Sequence, residues 1–449
     1  MAAPASDRNL AHGPLPAHFR ALGVPAAIGM IFNTLYNVVD VYFAGWIGAD
    51  AQAGMTIAGT VLFLLLALGF GIGSGVNALI GTALGQGDRP EAAVLSGQAL
   101  IFTVLVGVPL TGAGYLAAPY MLDLLGAEGA YRESARLMID VQLTATTPFL
   151  LAYAANGVLA SQGDTTSFER ALIGAFFANC ALNPLFVIVL DWGVAGIAWS
   201  TVATQSGMAL YMLNRAARSS VMRTCGAQAF RPRRAPIARI AAQGLPASGT
   251  MLMVTLGMFW VQVWLARFGA DAVAGYGVAL RIEQMVLLPG FGITGALLPI
   301  VARNAGAGRP DRVREALIFA LKAGCALMLG ASLLITLLGR AAIGLFIDDP
   351  AVIEMGWSYL SFARWMLPAY FALFAVTAFL QGLKKPIWAM WIGVYRQLFA
   401  VAVFGWIYIE GLGMGVEGVW WAILSAVFSG LALSAAVAAR VGGRALAAA

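Results

Sequence analysis

Charge is scarce in this sequence: of 449 residues only 11% are charged while 60% are hydrophobic, a balance that excludes an ordinary soluble domain. Histidine is scarcer still. The only two, His12 and His18, lie in a polar leader, so no Ser/His/Asp or Cys/His set can be assembled in the body of the chain. The three cysteines, Cys180, Cys225 and Cys325, fit no disulfide or metal-ligand spacing. A phosphate loop is also missing. The one glycine-rich stretch, Gly69 to Gly75, lies inside an apolar span, where close helix packing accounts for it. Residues 1–20 lack the apolar core of a signal peptide, so no cleavage is expected. Together these absences exclude an enzyme with a recognisable catalytic constellation, a resident metal and a cofactor.

What the chain does have is long apolar runs, such as 57–84, 93–118, 168–190 and 194–213, which reach or exceed the roughly 20 residues a spanning helix needs. They do not alternate, so a membrane barrel is excluded. The pattern predicts an all-α integral membrane protein of twelve spans, over 21–46, 53–84, 93–118, 134–160, 168–190, 194–215, 238–267, 273–304, 315–346, 353–381, 386–409 and 416–440. The chain also repeats itself. Gly48-Ala49-Asp50-Ala51-Gln52-Ala53-Gly54 returns as Gly269-Ala270-Asp271-Ala272-Val273-Ala274-Gly275, Pro25 returns as Pro246, and Gly193-Val194-Ala195-Gly196 as Gly415-Val416-Glu417-Gly418. A period near 220 residues is too long for a solenoid unit and marks a duplicated half-molecule, as transporters have. Six spans per half insert with one polarity, so the two lobes are expected to be related by a pseudo-two-fold along the membrane normal.

The expected organisation is a leader (1–20), an N-lobe (21–215), a basic linker (216–237), a C-lobe (238–440) and a tail (441–449). From Arg215 to Arg239 there are seven arginines and no acid. Most Lys and Arg fall in loops on one side, and the opposite loops hold acids such as Asp50, Asp123, Asp191 and Asp271. The positive-inside bias then puts both termini in the cytoplasm. Topology explains the net charge of +6, so nucleic acid is not an expected partner.

A charge at the centre of a spanning helix costs about 2.5–3.5 kcal/mol on insertion scales, so such residues are candidates for function. In the N-lobe, Asn33, Asn37 and Asp40 are spaced i, i+4, i+7 and share a face. Asn179 with Asn183, and Thr201 with Gln205, are i, i+4 pairs on two further helices. Asp40, Asn183 and Thr201 all fall roughly 9–11 Å from the outer helix ends. A buried carboxylate without a basic partner must hold a proton or a cation, and these oxygens suit a proton or a small hard ion such as sodium. The repeat offers an internal control: the equivalent places in the second half hold Gln262, Val401, Gly405 and Ile423. In the C-lobe, Glu283, Arg364 and Arg396 lie about 15 Å inside their helices. Arg281 is close by but on another face from Glu283. Structural ion pairing is one reading of these four. If they share a cavity, an excess of two positive charges favours an anionic or zwitterionic group. Pro25 and Pro246, early in the first helix of each half, are hinge candidates.

These residues together resemble the multidrug and toxic compound extrusion (MATE) family, and within it the DinF-like branch, over nearly the whole chain. The features are Val38-Val39-Asp40-Val41-Tyr42-Phe43-Ala44-Gly45 with Gly48, Gly85-Gln86-Gly87, Asn179-x-x-x-Asn183-Pro184, Gly193-Val194-Ala195-Gly196, and Arg281-Ile282-Glu283 through Pro289. The resemblance implies two six-helix lobes around a central cleft and export of small amphiphilic drugs against an inward proton or sodium gradient. It also implies a location in a bacterial inner membrane, and the protein is expected to be a monomer. By the same resemblance, Asp40, Asn179, Asn183 and Thr201 fall at the N-lobe ion site, and Pro25 where helix 1 bends in some members. This chain departs in having Asn183 where some relatives carry a second aspartate, and in lacking a helix-7 glutamate near Thr250 to Val254. A second reading is a flippase of lipid-linked saccharides, or an exporter of anionic or zwitterionic amphiphiles, for which the C-lobe arginines are the support.

Overall fold

A computed structural model describes residues 9–444. The first eight residues of the expected leader and residues 445–449 of the tail lie outside the described residues, and both termini with them. Every regular element among the described residues is helical. That is what a bilayer demands, because the hydrocarbon offers no partner for a free N–H or C=O.

The first half contains α1 (Leu15–Ile47), α2 (Ala49–Gly85), α3 (Arg89–Leu124), α4 (Gly129–Leu143), α5 (Thr146–Ser161), α6 (Thr166–Pro184) and α7 (Gly193–Ala217). The second contains α8 (Arg234–Leu265), α9 (Ala270–Gly306), α10 (Pro310–Gly344), α11 (Pro350–Gly382), α12 (Pro386–Val394), α13 (Val401–Gly405) and α14 (Gly415–Val437). Ten helices among the described residues are long and apolar enough to cross a membrane, or eleven if α4 and α5 form one bent span. The twelfth expected span is α7. Its 25 residues reach roughly 37 Å, but it carries Ser200, Thr201, Thr204, Gln205 and Ser206.

The span expected over 134–160 is broken, with α4 and α5 meeting at 50°. Pro148 explains the break, because its ring meets the carbonyl four residues back, at Thr144. The Thr144 hydroxyl meanwhile donates to Val141 O at 2.6 Å. The fifth span of each half carries π-helical turns. These are Leu185–Val189 directly after Pro184 in the first, and Tyr395–Ala400 and Trp406–Gly411 in the second. Such wide turns recur at functional sites.

The repeated loop word now has a physical cause. Gly48 and Gly269 stand at φ +147° and +99° just before α2 and α9, a left-handed conformation that favours glycine. Asp50 and Asp271 occupy the first turns of those helices, where the helix dipole favours a negative charge. Gly54 and Gly275 close the word. A Cβ on Gly54 would stand 2.8 Å from Ala135 N, and one on Gly275 would stand 2.7 Å from Gly356 N. The word is therefore packing and turn chemistry, repeated because the scaffold is repeated.

The chain separates into two compact units whose boundaries differ from the repeat's. Among the described residues, one comprises 9–12 with Ile28–Ser248, and the other Gly13–Ala27 with 249–444. The leading segments of α1 and α8 thus pack with the opposite half. In one unit a Cβ on Gly71 would lie 2.6 Å from Gly244 O and would collide with Ser248. In the other, a Cβ on Gly292 would collide with Gly23 O and stand 2.9 Å from Ala27 Cβ. Gly23, Ala27 and Gly71 are offset by 221 from Gly244, Ser248 and Gly292, so the contacts themselves obey the duplication. The glycines of 69–75 serve helix packing, as their place in an apolar span predicts. The boundaries inside α1 and α8 each fall two residues after a proline, Pro25 or Pro246.

The arginine-rich linker belongs to the first unit and is fastened there by buried glutamines. Gln98 donates to Ala229 O and Arg231 O, both at 2.7 Å, and accepts from Arg233 N at 2.8 Å. Gln162 accepts from Ser220 Oγ and Val221 N. Arg239 pairs with Glu91, and Arg215 with Asp164. Cys180, Cys225 and Cys325 are all free. Burial pushes the Cys225 thiol up from its ordinary value, and it donates to Ala93 O at 2.9 Å.

Two measurements check this account. Gly275→Ala should cost about 1–3 kcal/mol through overpacking, whereas Gly277→Ala, which faces open space, should be neutral or stabilising. Thermal unfolding of the two purified variants reads the difference, and equal midpoints would contradict it. Gln98→Leu strands three backbone groups of the linker, each costing about 1–3 kcal/mol if left unpaired. Limited trypsin digestion should then cut after Arg233 or Arg234 several-fold faster than in the parent, and an unchanged rate would deny Gln98 its fastening role.

Candidate functional site

In the first unit the site is built on one carboxylate. Asp40 lies on α1, seven residues before its end, and is 5% exposed. Asn179 and Asn183 on α6 both aim amide nitrogens at its Oδ1, each at 2.8 Å. Thr201 on α7 donates to Oδ2 at 3.4 Å. Three helices from distant parts of the chain therefore converge on one side chain. Their own polar atoms are tied in turn. Asn183 Nδ2 also reaches Asn179 Oδ1 at 3.2 Å, and Ser200 Oγ donates to Asn183 Oδ1. The amide oxygens are thereby engaged, and what faces the carboxylate is N–H and O–H. No Lys or Arg forms an ion pair with Asp40 among the described residues, so its negative charge is held by neutral donors alone.

Three participants escape the sequence pattern. Tyr36, one helical turn before Asp40, is buried and its hydroxyl meets Thr204 Oγ1 at 2.8 Å. Ser200 anchors Asn183. A signal for each existed in the i−4 spacing of Tyr36 from Asp40 and in the hydroxyls at 200, 201 and 204. Asn33 and Asn37, placed with Asp40 by spacing, lie elsewhere. Asn37 is exposed and donates to Asn33 O at 2.7 Å. Gln205 has its Oε1 buried without a partner and makes no hydrogen bond to Asp40. A cluster of three or more His, Cys, Asp or Glu able to hold a metal does not occur among the described residues.

The second unit holds a cavity of about 90 Å³. Of the four charges expected there, two line it: Glu283 and Arg396. Glu283 is 3% exposed and Arg396 is 8% exposed. Tyr359 Oη donates to Glu283 Oε2 at 2.6 Å, while Glu283 Oε1 has no partner. The Arg396 guanidinium lies 5.5 Å from the centre of the Tyr370 ring. No ion pair joins Glu283 to Arg396 among the described residues. Arg281 is exposed and outside the cavity, as its different helix face predicts. Arg364 is also outside. Its guanidinium stands over Trp365 at 5.5 Å and its backbone carbonyl accepts from Ser332. The excess of two positive charges is thus not realised.

The contacts also correct the register of the repeat. Because the offset is 221 along both α1 and α8, the counterpart of Asp40 is Val261, not Gln262. Along the fifth and sixth spans it is 222. A Cβ on Gly196 meets Phe186 and Val187, and one on Gly418 meets Tyr408 and Ile409. Asn179 and Thr201 then correspond to Val401 and Ile423, as the sequence comparison gave. Val261, Val401 and Ile423 all line the cavity of the second unit. The place that holds a polar cluster in one unit is a cavity in the other.

Comparison with known proteins agrees with this duplicated architecture. The MatE family model matches twice, over residues 25–185 and 246–407. The chain is 26% identical to the FAD transporter of Shewanella oneidensis over 92% of this chain and 91% of that one. It is 22% identical to the multidrug export protein MepA of Staphylococcus aureus over 90% and 89%. Among solved structures, an outward-facing multidrug resistance transporter of the MATE family superposes with a TM-score of 0.89 at 24% identity, over 98% of each chain. That likeness shows the fold, twelve spanning helices in two lobes. The two family matches begin 221 residues apart, at Pro25 and Pro246, and together take in most of the chain. The chain belongs to the MatE family: it is a multi-pass membrane transporter and not an enzyme.

Proposed function

We propose that this transporter is a proton-driven antiporter that exports amphiphilic compounds across a bacterial inner membrane, with both termini cytoplasmic. Its coupling group is Asp40. The observation that carries the reading is the convergence of α1, α6 and α7 on one buried carboxylate that has only neutral donors. Such a group has two states that the surrounding helices can feel. Ionised, it gathers the Asn179 and Asn183 amides, since hydrogen bonds to a charged acceptor are roughly twice as strong as neutral ones. Protonated from outside, it loses that hold, and the contact of α1 with α6 and α7 weakens. Pro25 leaves a free carbonyl in the leading part of α1, so the helix has a place to bend. Repacking of α1 then releases the substrate outward. This is a shift between two states driven by differential proton affinity.

The donor set favours a proton over sodium. A sodium ion needs oxygens, and both amides present nitrogen to Asp40 while their oxygens are engaged. Both side chains would have to turn over to coordinate the ion. The names of two relatives, a multidrug export protein of Staphylococcus aureus and a probable multidrug resistance protein of Bacillus subtilis, support the substrate class.

A second reading, export of anionic or zwitterionic amphiphiles or flipping of lipid-linked saccharides, is supported by Arg396 in the cavity of the second unit. A relative is named as an FAD transporter, and FAD is an anionic molecule.

Asp40→Asn keeps the shape of the side chain and removes its proton chemistry. In inside-out vesicles it should lower gradient-driven dye export at least tenfold while the purified protein melts within a few degrees of the parent. Undiminished export by a folded D40N protein would sink the proposal.

A further inference from the structure

The cavity of the second unit is lined by two opposite charges, each held by a tyrosine, that form no ion pair with each other among the described residues. Burying a charge without a partner is costly, yet Glu283 keeps one carboxylate oxygen free while its other oxygen takes the Tyr359 hydroxyl. Arg396 sits on the same cavity without pairing with it. The space is shaped for this arrangement. Arg396 lies in the π-helical turn Tyr395–Ala400, and a Cβ on Gly430 would stand 3.0–3.3 Å from its aliphatic stem. A Cβ on Gly257 would stand 2.5 Å from Gln397 Oε1, another lining residue. Two glycines therefore make room for a guanidinium and an amide at the wall. The aliphatic counterparts of the polar cluster, Val261, Val401 and Ile423, leave the volume open.

From this geometry we infer that the cavity binds the zwitterionic head of an amphiphile, its cationic nitrogen against Glu283 and its anionic group against Arg396. The inference rests on the reading of the chain as an exporter and names the ligand class of its second unit. Opposite charges held apart on one wall complement a ligand that carries both charges in one compact head. A purely cationic head would leave Arg396 unmatched, and a purely anionic one Glu283. The tyrosines strengthen the cationic end. Tyr276 and Tyr359 pack edge to face at 4.9 Å beside Glu283, and Tyr370 completes the wall. Aromatic faces attract an ammonium ion, more so when it is desolvated. Size sets the rest. A volume of about 90 Å³ is well above the roughly 10–15 Å³ that one water needs, which leaves room for a small head. The symmetry explains why only one unit has this pocket. Glu283 stands where the first half has Leu62, and its companions have no polar counterpart there.

The test uses the full-length protein in nanodiscs and equilibrium dialysis of three radiolabelled probes, each with an eight-carbon chain. These are N,N-dimethyl-N-octylglycine, octyltrimethylammonium and octanoate, with protein-free nanodiscs as the blank. The parent protein should bind the zwitterion at least tenfold more tightly than either singly charged probe. Arg396→Gln should erase its advantage over octyltrimethylammonium, and Glu283→Gln its advantage over octanoate. Equal binding of the three probes by the parent protein, a comparison that needs no variant, would overturn the inference. So would an unchanged preference in both folded variants. Export is measured on the same preparation. Dye export without zwitterion preference defeats this inference and leaves the transport reading standing, and preference without gradient-driven export does the reverse.

Discussion

A carboxylate buried among neutral donors is the constraint on which the rest of the first unit depends. Asp40 cannot sit at membrane depth unless something answers its charge, and the chain supplies two amides and a hydroxyl from α6 and α7. Those helices are held in place by further bonds that have no other evident purpose, such as Ser200 to Asn183 and Tyr36 to Thr204. Thr201 and Asn183 have second acceptors in Ile197 O and Asn179 Oδ1, so a change at the carboxylate redistributes the bonds of this network. A network of this kind is stable when complete and costly when one member changes state. The same property that makes it a liability in a static protein makes it a switch in a transporter.

Duplication gives the second constraint. Both halves must pack leading helix segments against glycine-lined surfaces, and they do so with the same residues 221 apart, Gly23 on Gly292 and Gly244 on Gly71. The glycines and loop words are shared because backbone approach leaves no choice of side chain. Where packing does not dictate, the halves differ, and one such place bears on function. Asp40, Asn179 and Thr201 of the first half correspond to Val261, Val401 and Ile423 of the second, where a cavity edged by Glu283 and Arg396 stands in place of the polar cluster. Scaffold and chemistry are therefore separable by comparing a chain with itself.

Much of this was legible in the sequence, and what was not has a physical reason. Apolar runs found the spans because a bilayer admits few alternatives. Asp40 with Asn179, Asn183 and Thr201 could be read together because depth along a helix is a matter of counting residues. Which neighbour shares the face of Asp40 could not. Asn37 and Tyr36 lie three and four residues before it, about 100° apart around the helix, and only packing against α7 selects Tyr36. Arg364 and Arg396 look alike as arginines deep in helices. The wide turn at Tyr395–Ala400 and the notch at Gly430 that aim one of them into a cavity have no simple signature. The bend between α4 and α5 was written in Pro148, whose effect falls a turn earlier than the residue itself.

The central claim is that proton binding at the Asp40 cluster drives export. The direct measurement is transport of a fluorescent cation by the reconstituted protein in liposomes, with a proton gradient and a sodium gradient imposed one at a time. The account predicts export under the proton gradient in sodium-free buffer and none under the sodium gradient at equal pH. Export driven by sodium alone and indifferent to pH would contradict it.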